Sequence, residues 1–341
     1  MIEKLLKERD LPPLLPREEM LGILQREIYG NMPAKPIRTE FTQEDDIIRR
    51  FCAGHAVASR VTAECELECG RFTFPFQVTV PTGGGKYPLM IHINFRPDNP
   101  DRYMPTEEII DGGFAVISIY YNDITSDDGD FTNGLAGILF KDGTRRPDDP
   151  GKIAMWAWAA QRALDYAYTR PDDFDLSAVT VCGHSRLGKT ALVAAATDER
   201  FAVGYSNDSG CSGAALSRGK TGETVADIVD RFPFWFCENY YKYAHNESKM
   251  PFDQHYLIAC IAPRRALIGS ASEDAWANPA SEYLACAAAS PAFKNGFVCE
   301  DRLPEIDDMF FEGDIGYHMR EGQHYFSRKD WQRLMKFCRM G

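Results

Sequence analysis

The sequence predicts an α/β fold: a mostly parallel sheet with helices on both faces. Three observations point there. Residues 87–95 and 113–121 are short apolar runs without alternation, as expected of strands buried on both sides. Apolar residues in 153–169 (Ile153, Trp156, Ala160, Ala163, Leu164, Ala167) recur on one helical face. In AVTVCGHSRLGKTALVAAA a β-rich run turns at once into an Ala-rich helix.

Taken in order, residues 1–60 read as an N-terminal helical arm packed on the main body, rich in proline and charge, with a helix expected over 17–28. Residues 61–341 read as the catalytic domain. Between 57 and 80, Phe72, Phe74, Phe76 and Val78 fall on alternate positions, the period of an antiparallel strand at the edge of a sheet. Gly83, Gly84 and Gly85 mark a turn, and 96–105 is a Pro-containing loop between the two buried strands. Further strands are expected at 178–182, 201–206 and 266–270, and helices at 187–197 and 328–338. The Gly- and aromatic-rich stretch 211–250 reads as a cap-like insertion over the site.

Bulk properties narrow the function. A chain of 341 residues, 44% of them hydrophobic, buries a large core. A formal net charge of −12 opposes binding to nucleic acid, whose phosphates need a basic footprint. Ten cysteines in so long a chain, without regular spacing, read as reduced thiols rather than a disulfide framework. Neither an apolar leader core nor a membrane-length apolar run is visible, so the chain reads as soluble and cytoplasmic.

The chemistry is concentrated at the strand-to-helix turn. Gly183 is required where a Cβ would clash, Ser185 projects its hydroxyl from the bend, and Gly188 lets the following helix approach closely. Together they read as the nucleophile elbow of an α/β-hydrolase serine esterase, although the second glycine of G-x-S-x-G stands one place late. The backbone N–H of Arg186 opens the helix and is the natural first oxyanion donor. Arg186 and Lys189 put two cations beside the nucleophile, suited to a carboxyl-derived substrate group. The base must follow the serine, and His324, in EGQHYF just ahead of the last helix, is the best placed. His318 supports that loop or ends a strand, His255 reads as a core histidine and His245 as a surface one. Two acids satisfy the chain order: Asp274, after the later strand, is the first choice, and Asp208 the second. Glu273 would serve only with a different turn.

The blocks PGKIAMWAWAAQRALDY, VCGHSRLGKTAL, SNDSGCSGAALSR, PFDQHYLIACIAPR, SASEDAWANP and DIGYHMREGQHYF, in this order, resemble the glucuronoyl esterases, carbohydrate esterase family 15. The resemblance implies a three-layer αβα sandwich that hydrolyses esters of (4-O-methyl-)glucuronic acid, such as those joining glucuronoxylan to lignin alcohols, with neither cofactor nor metal. It also implies that Arg186 helps hold the oxyanion and that Lys189, Glu223 and Trp276 contact the sugar. Where fungal members carry a disulfide-forming cysteine before the nucleophile, this chain has His184, as bacterial members do. An acetyl or feruloyl esterase on plant polysaccharide, and an inactive carbohydrate-binding protein on the same fold, are the alternatives. The expected partner is a carbohydrate ester, with no nucleic acid or membrane.

Overall fold

In the computed structural model, which describes residues 1–340, the apolar runs assemble into one ten-stranded sheet in the order β1-β2-β3-β5-β4-β6-β7-β8-β10-β9. The strands are β1 (Arg38–Glu44), β2 (Ala56–Leu67), β3 (Gly70–Pro81), β4 (Tyr87–Asn94), β5 (Ala115–Tyr120), β6 (Phe174–His184), β7 (Val203–Asn207), β8 (Arg265–Ala271), β9 (Met309–Phe310) and β10 (Ile315–Arg320). From β5 to β10 across the sheet the neighbours are parallel, whereas β1, β2 and β3 form an antiparallel flank and β9 closes the other edge antiparallel. The fold class is thus the expected α/β one.

The lack of alternation in the central strands has a direct cause. Leu89, Ile91, Ile117, Ala266 and Ile268 face one apolar cluster, while Met90, Val116, Tyr205 and Leu267 face another. On the first side lie α5 (Lys152–Tyr168), α6 (Arg186–Thr197), α8 (His255–Ala259) and α9 (Pro279–Ala289). On the second lie α3 (Thr106–Asp111) and α10 (Arg328–Cys338). Each central strand therefore buries both faces and reads as continuously apolar. The remaining helices are α1 (Ile2–Arg9), α2 (Arg17–Leu24), α4 (Gly134–Leu139) and α7 (Val225–Arg231). Among the described residues no helix is long and apolar enough to cross a membrane, and all ten cysteines are free thiols.

Three expectations need correction. The division at residue 60 falls inside β2, and the arm is not wholly helical: β1 extends the sheet by pairing along β2, from Arg38 opposite Glu66 to Glu44 opposite Arg60. The antiparallel edge is accordingly β1, not the 57–80 hairpin. The third concerns His318, which lies in the middle of β10 rather than at its end. That strand, IGYHMR, was invisible as a pattern because its polar members are buried and paired internally: His318 Nε2 meets Tyr205 Oη at 3.1 Å, and Arg320 meets two carboxylates. The arm is held by specific bonds, among them Arg17 to the carbonyls of Ala196 (2.8 Å) and Cys260 (2.9 Å), and Tyr29 Oη to Ser212 O (2.9 Å).

Four adjacent parallel strands, β6, β7, β8 and β10, end on the same side of the sheet. Just past their ends come Ser185, Asp208, Asp274 and His324. Ligands of open α/β sheets bind outside these carboxyl ends.

Candidate active site

Ser185 is the single residue between β6 and α6, held at φ 57° and ψ −127°, a backbone conformation that costs a non-glycine residue about 1–3 kcal/mol. Close packing enforces it. A Cβ on Gly183 would stand 2.2 Å from the Leu187 carbonyl oxygen, and one on Gly188 would stand 2.9 Å from Ser206 Oγ. Leu187, which displaces the second glycine of the usual pattern, is fully buried in the core. Gly183→Ala is therefore expected to destabilise the fold by more than about 3 kcal/mol, since backbone rather than a movable side chain would have to yield; urea unfolding measures this. Although Ser185 occupies the N-cap position of α6, its side chain makes no capping bond, which leaves the hydroxyl free for chemistry at the positive end of a twelve-residue helix.

His324, on the loop after β10, places Nδ1 2.6 Å from Asp274 Oδ2, and the other Asp274 oxygen accepts from the N–H of Ala277 at 3.1 Å. Asp274 is buried, whereas the His324 side chain is 45% exposed. Asp208 lies close by, with acceptor atoms of Asp208, Asp274 and His324 all within 4.8 Å of one another. Its carboxylate is instead committed to Arg320, 3.2 Å away, and its second oxygen has no partner. Burial, then the charges of Asp330 and Glu282, push the Asp208 carboxyl well above the usual range, with Arg320 opposing.

The ring of His184 lies 4.4 Å from that of His324. His184 is buried, with Nδ1 2.8 Å from Asn207 Oδ1, and burial followed by the charge of His324 holds it well below its ordinary value, hence neutral. The place before Ser185 is thus a packing and hydrogen-bonding position in this chain.

Eight of the residues singled out in the sequence line one cavity of about 350 Å³: Ser185, His324, Asp274, Asp208, Arg186, Lys189, Glu223 and Trp276. Lys189 is buried, donates to the Ser209 carbonyl, and has its ammonium pulled down by burial while Glu223 opposes. Glu223 is positioned by its own N–H, which donates to the Trp276 carbonyl at 3.0 Å. Trp276 is 44% exposed, with the Arg231 guanidinium 5.2 Å from its ring centre. Sequence reasoning missed Arg231, Phe232 and Trp235, which complete the wall. The aromatic run RFPFWF, inside the Gly- and aromatic-rich stretch 211–250, was the available signal. A wider groove of about 540 Å³, lined by Leu11, Pro12 and His255 among others, lies apart from these residues, and His255 Nε2 there donates to the Pro12 carbonyl at 3.0 Å.

Glu282 was also missed, because it sits inside α9 with no local mark of function. It is wholly buried, accepting from the N–H of Gly210 (2.8 Å) and from Ser270 Oγ (2.5 Å) behind the cavity wall. Burial raises its carboxyl to about 7. A carboxyl raised on folding binds its proton more tightly in the native state, so its contribution to stability is present below the unfolded value and is lost as pH climbs through about 7. Glu282→Gln imitates the protonated acid. The variant is expected to gain stability on wild type progressively between about pH 4.5 and 7, and melting temperatures across that range measure it.

On the other side of Ser185, Arg186 and His324 opens a second cavity, also about 350 Å³, lined by Phe95, Arg96, Tyr103, Tyr121 and His184. Ser185 and His324 are therefore shared by two cavities, the first lined by Lys189, Glu223, Arg231 and Trp276 among others, the second by Phe95, Arg96, Tyr103 and Tyr121.

The chain matches the family model for glucuronyl esterase of fungi over residues 64–295, which take in the elbow and Asp274 but stop short of His324. It is 43% identical over 237 residues to a carbohydrate esterase of an unknown prokaryotic organism, covering 68% of this chain and 54% of that protein. It is 27% identical over 290 residues to the 4-O-methyl-glucuronoyl methylesterase of Hypocrea jecorina, covering 81% and 56%. The chain thus spans about half the length of the curated relatives it matches. A glucuronoyl esterase structure from Solibacter usitatus superposes with a TM-score of 0.86 at 31% identity, over 95% of this chain and 91% of that one. A promiscuous esterase of carbohydrate esterase family 15 from a marine bacterial metagenome superposes with a TM-score of 0.82 at 32% identity, over 95% and 90%. With the elbow, the late acid and the intervening wall all inside the matched region, this protein belongs to the glucuronoyl esterase family, carbohydrate esterase family 15.

Proposed function

We propose that this protein is a serine carboxylic-ester hydrolase acting on esters of (4-O-methyl-)glucuronic acid, of the kind that join glucuronoxylan to lignin alcohols. The observation that carries the proposal is the placement of Ser185, at a strained elbow, on the same cavity wall as an imidazole bonded to a buried carboxylate. Substrate brings the Ser185 hydroxyl to Nε2 of His324, since catalytic hydrogen bonds often close only in the complex. His324 takes the proton as Ser185 attacks the uronoyl carbonyl, Asp274 holds the imidazole in the required tautomer, and the proton then passes to the leaving alcohol. The backbone N–H and the guanidinium of Arg186 receive the oxyanion. Water repeats the sequence on the acyl-enzyme.

The lining of the first cavity favours a uronoyl ester over an acetyl one. Lys189, Glu223, Arg231 and Trp276 give that cavity hydrogen-bonding groups and an aromatic face for a sugar ring, far more than an acetyl group could use. The relatives bearing the name 4-O-methyl-glucuronoyl methylesterase support the same substrate class. A paired assay tests it: kcat/KM on benzyl glucuronate is expected to exceed that on an aryl acetate or acetylated xylan by at least about tenfold. Equal or faster deacetylation would make the protein an acetyl esterase, and failure of Ser185 to react with a fluorophosphonate would leave only a carbohydrate-binding role.

A further inference from the structure

Asp127 lies on the loop that follows β5 and touches neither cavity, yet it bonds to groups that line both. One carboxylate oxygen accepts from Nη1 of Arg186 and from Tyr121 Oη at 3.0 Å. The other accepts from Trp235 Nε1 at 2.7 Å. The Trp235 ring in turn lies under the Arg186 guanidinium, 4.6 Å from it, with Phe95 and Phe232 each 5.6 Å away. The Asp127 side chain is only 10% exposed, against 26% for Arg186. An exposed ion pair would hold neither partner in one geometry; this one has an aromatic face below it and two further donors on the carboxylate.

The loop itself is anchored from inside. Lys152 is fully buried, and its ammonium donates to the carbonyls of Ser126 and Asp130 (2.7 Å) and to Ser126 Oγ (3.2 Å). Trp156 Nε1 donates to Thr125 O at 3.2 Å, and Asn122 Oδ1 accepts from the N–H of Asp127 at 3.0 Å. The backbone on both sides of Asp127 is therefore tied to the core, and the carboxylate is a fixed point against which Arg186 is set.

We propose that Asp127 is a positioning residue for Arg186: it holds one edge of the guanidinium and, through Trp235, one face, so that the charge is already in place where the oxyanion develops. Preorganised donors stabilise developing charge without reorganising during the reaction. This rests on Arg186 acting at the oxyanion, as in the function proposed above.

The test is a double-variant cycle with Asp127→Asn and Arg186→Ala. Asparagine keeps an acceptor for Trp235 but turns an amide N–H toward Arg186 and Tyr121, both donors. Asp127→Asn is expected to lower kcat on benzyl glucuronate about ten- to hundredfold with KM changed less than about threefold. Arg186→Ala is expected to cost about a hundredfold or more, and the double variant should be no worse than Arg186→Ala alone, within about threefold. Losses that multiply, or Asp127→Asn within about twofold of wild type, overturn the proposal. Fluorophosphonate labelling of Ser185 is followed in the same four proteins, because that reaction needs the oxyanion site but not the sugar. If wild type labels but does not cleave the glucuronate, the substrate assignment fails and the labelling cycle still judges Asp127; if it does not label, both fall. Should Asp127→Asn not fold, Trp235→Phe replaces it. That variant removes one donor from the carboxylate while keeping a ring under the guanidinium, and its loss must likewise vanish in the Arg186→Ala background.

Discussion

Ser185→Ala is expected to reduce kcat by about 10⁴- to 10⁶-fold while leaving the melting temperature close to that of wild type. The size follows from the loss of the covalent route: when a triad serine is removed, only binding and oxyanion stabilisation remain, and triad members act as a unit. The unchanged stability follows from geometry, since alanine keeps the Cβ and so inherits the same positive φ, and the serine side chain makes no capping bond that could be lost. Ser185→Gly separates the two effects. It should be equally inactive but more stable, by up to about 1–3 kcal/mol less the entropy cost of glycine, because the backbone strain at the elbow is released. A Ser185→Ala variant retaining even a tenth of wild-type turnover would place the nucleophile elsewhere.

The second large effect is expected at the acid, where Asp274→Asn should lower kcat by about 10⁴-fold and Asp208→Asn by no more than about tenfold. Asparagine at 274 would offer its amide N–H to Nδ1 of His324, shift the imidazole proton to Nε2, and leave no lone pair for the Ser185 hydroxyl. Asp208 is bound to Arg320, whose guanidinium also donates to Asp330 and to the carbonyls of Gln323 and Tyr325 on either side of the base. Its neutralisation would loosen the loop rather than change the tautomer of the imidazole. The pair of pre-steady-state rates decides the matter: a loss concentrated at Asp208 would exchange the two roles.

The same contrast shows how much of this protein could be read from its residues. The elbow was legible because local sterics demand it: glycine is required at 183 and 188 by contacts of under 3 Å with neighbouring atoms, and a β-rich run meeting an Ala-rich helix can turn in few ways. His324 was legible by chain order. Arg231, Phe232 and Trp235 were not, because an aromatic stretch looks alike whether it fills a core or lines a cavity. Nor were Asp127 and Glu282, whose roles exist only through partners distant along the chain: Arg186 and Trp235 for the one, Gly210 and Ser270 for the other. β10 escaped for a related reason, since its histidine and arginine break the apolar pattern and are made tolerable only by buried partners on β7 and α10.

Short-range sterics and periodicity are written into the residues themselves: the buried parallel strands, the helix that starts after Ser185, and the chain order in which Ser185, Asp274 and His324 follow one another. The choice of Asp274 over Asp208 as the partner of His324, and of the groups that surround Arg186, emerges on folding. Those choices turn on a few ångströms between residues brought together by the packing of separate strands and helices, and hydrogen bonding and burial change over just such distances.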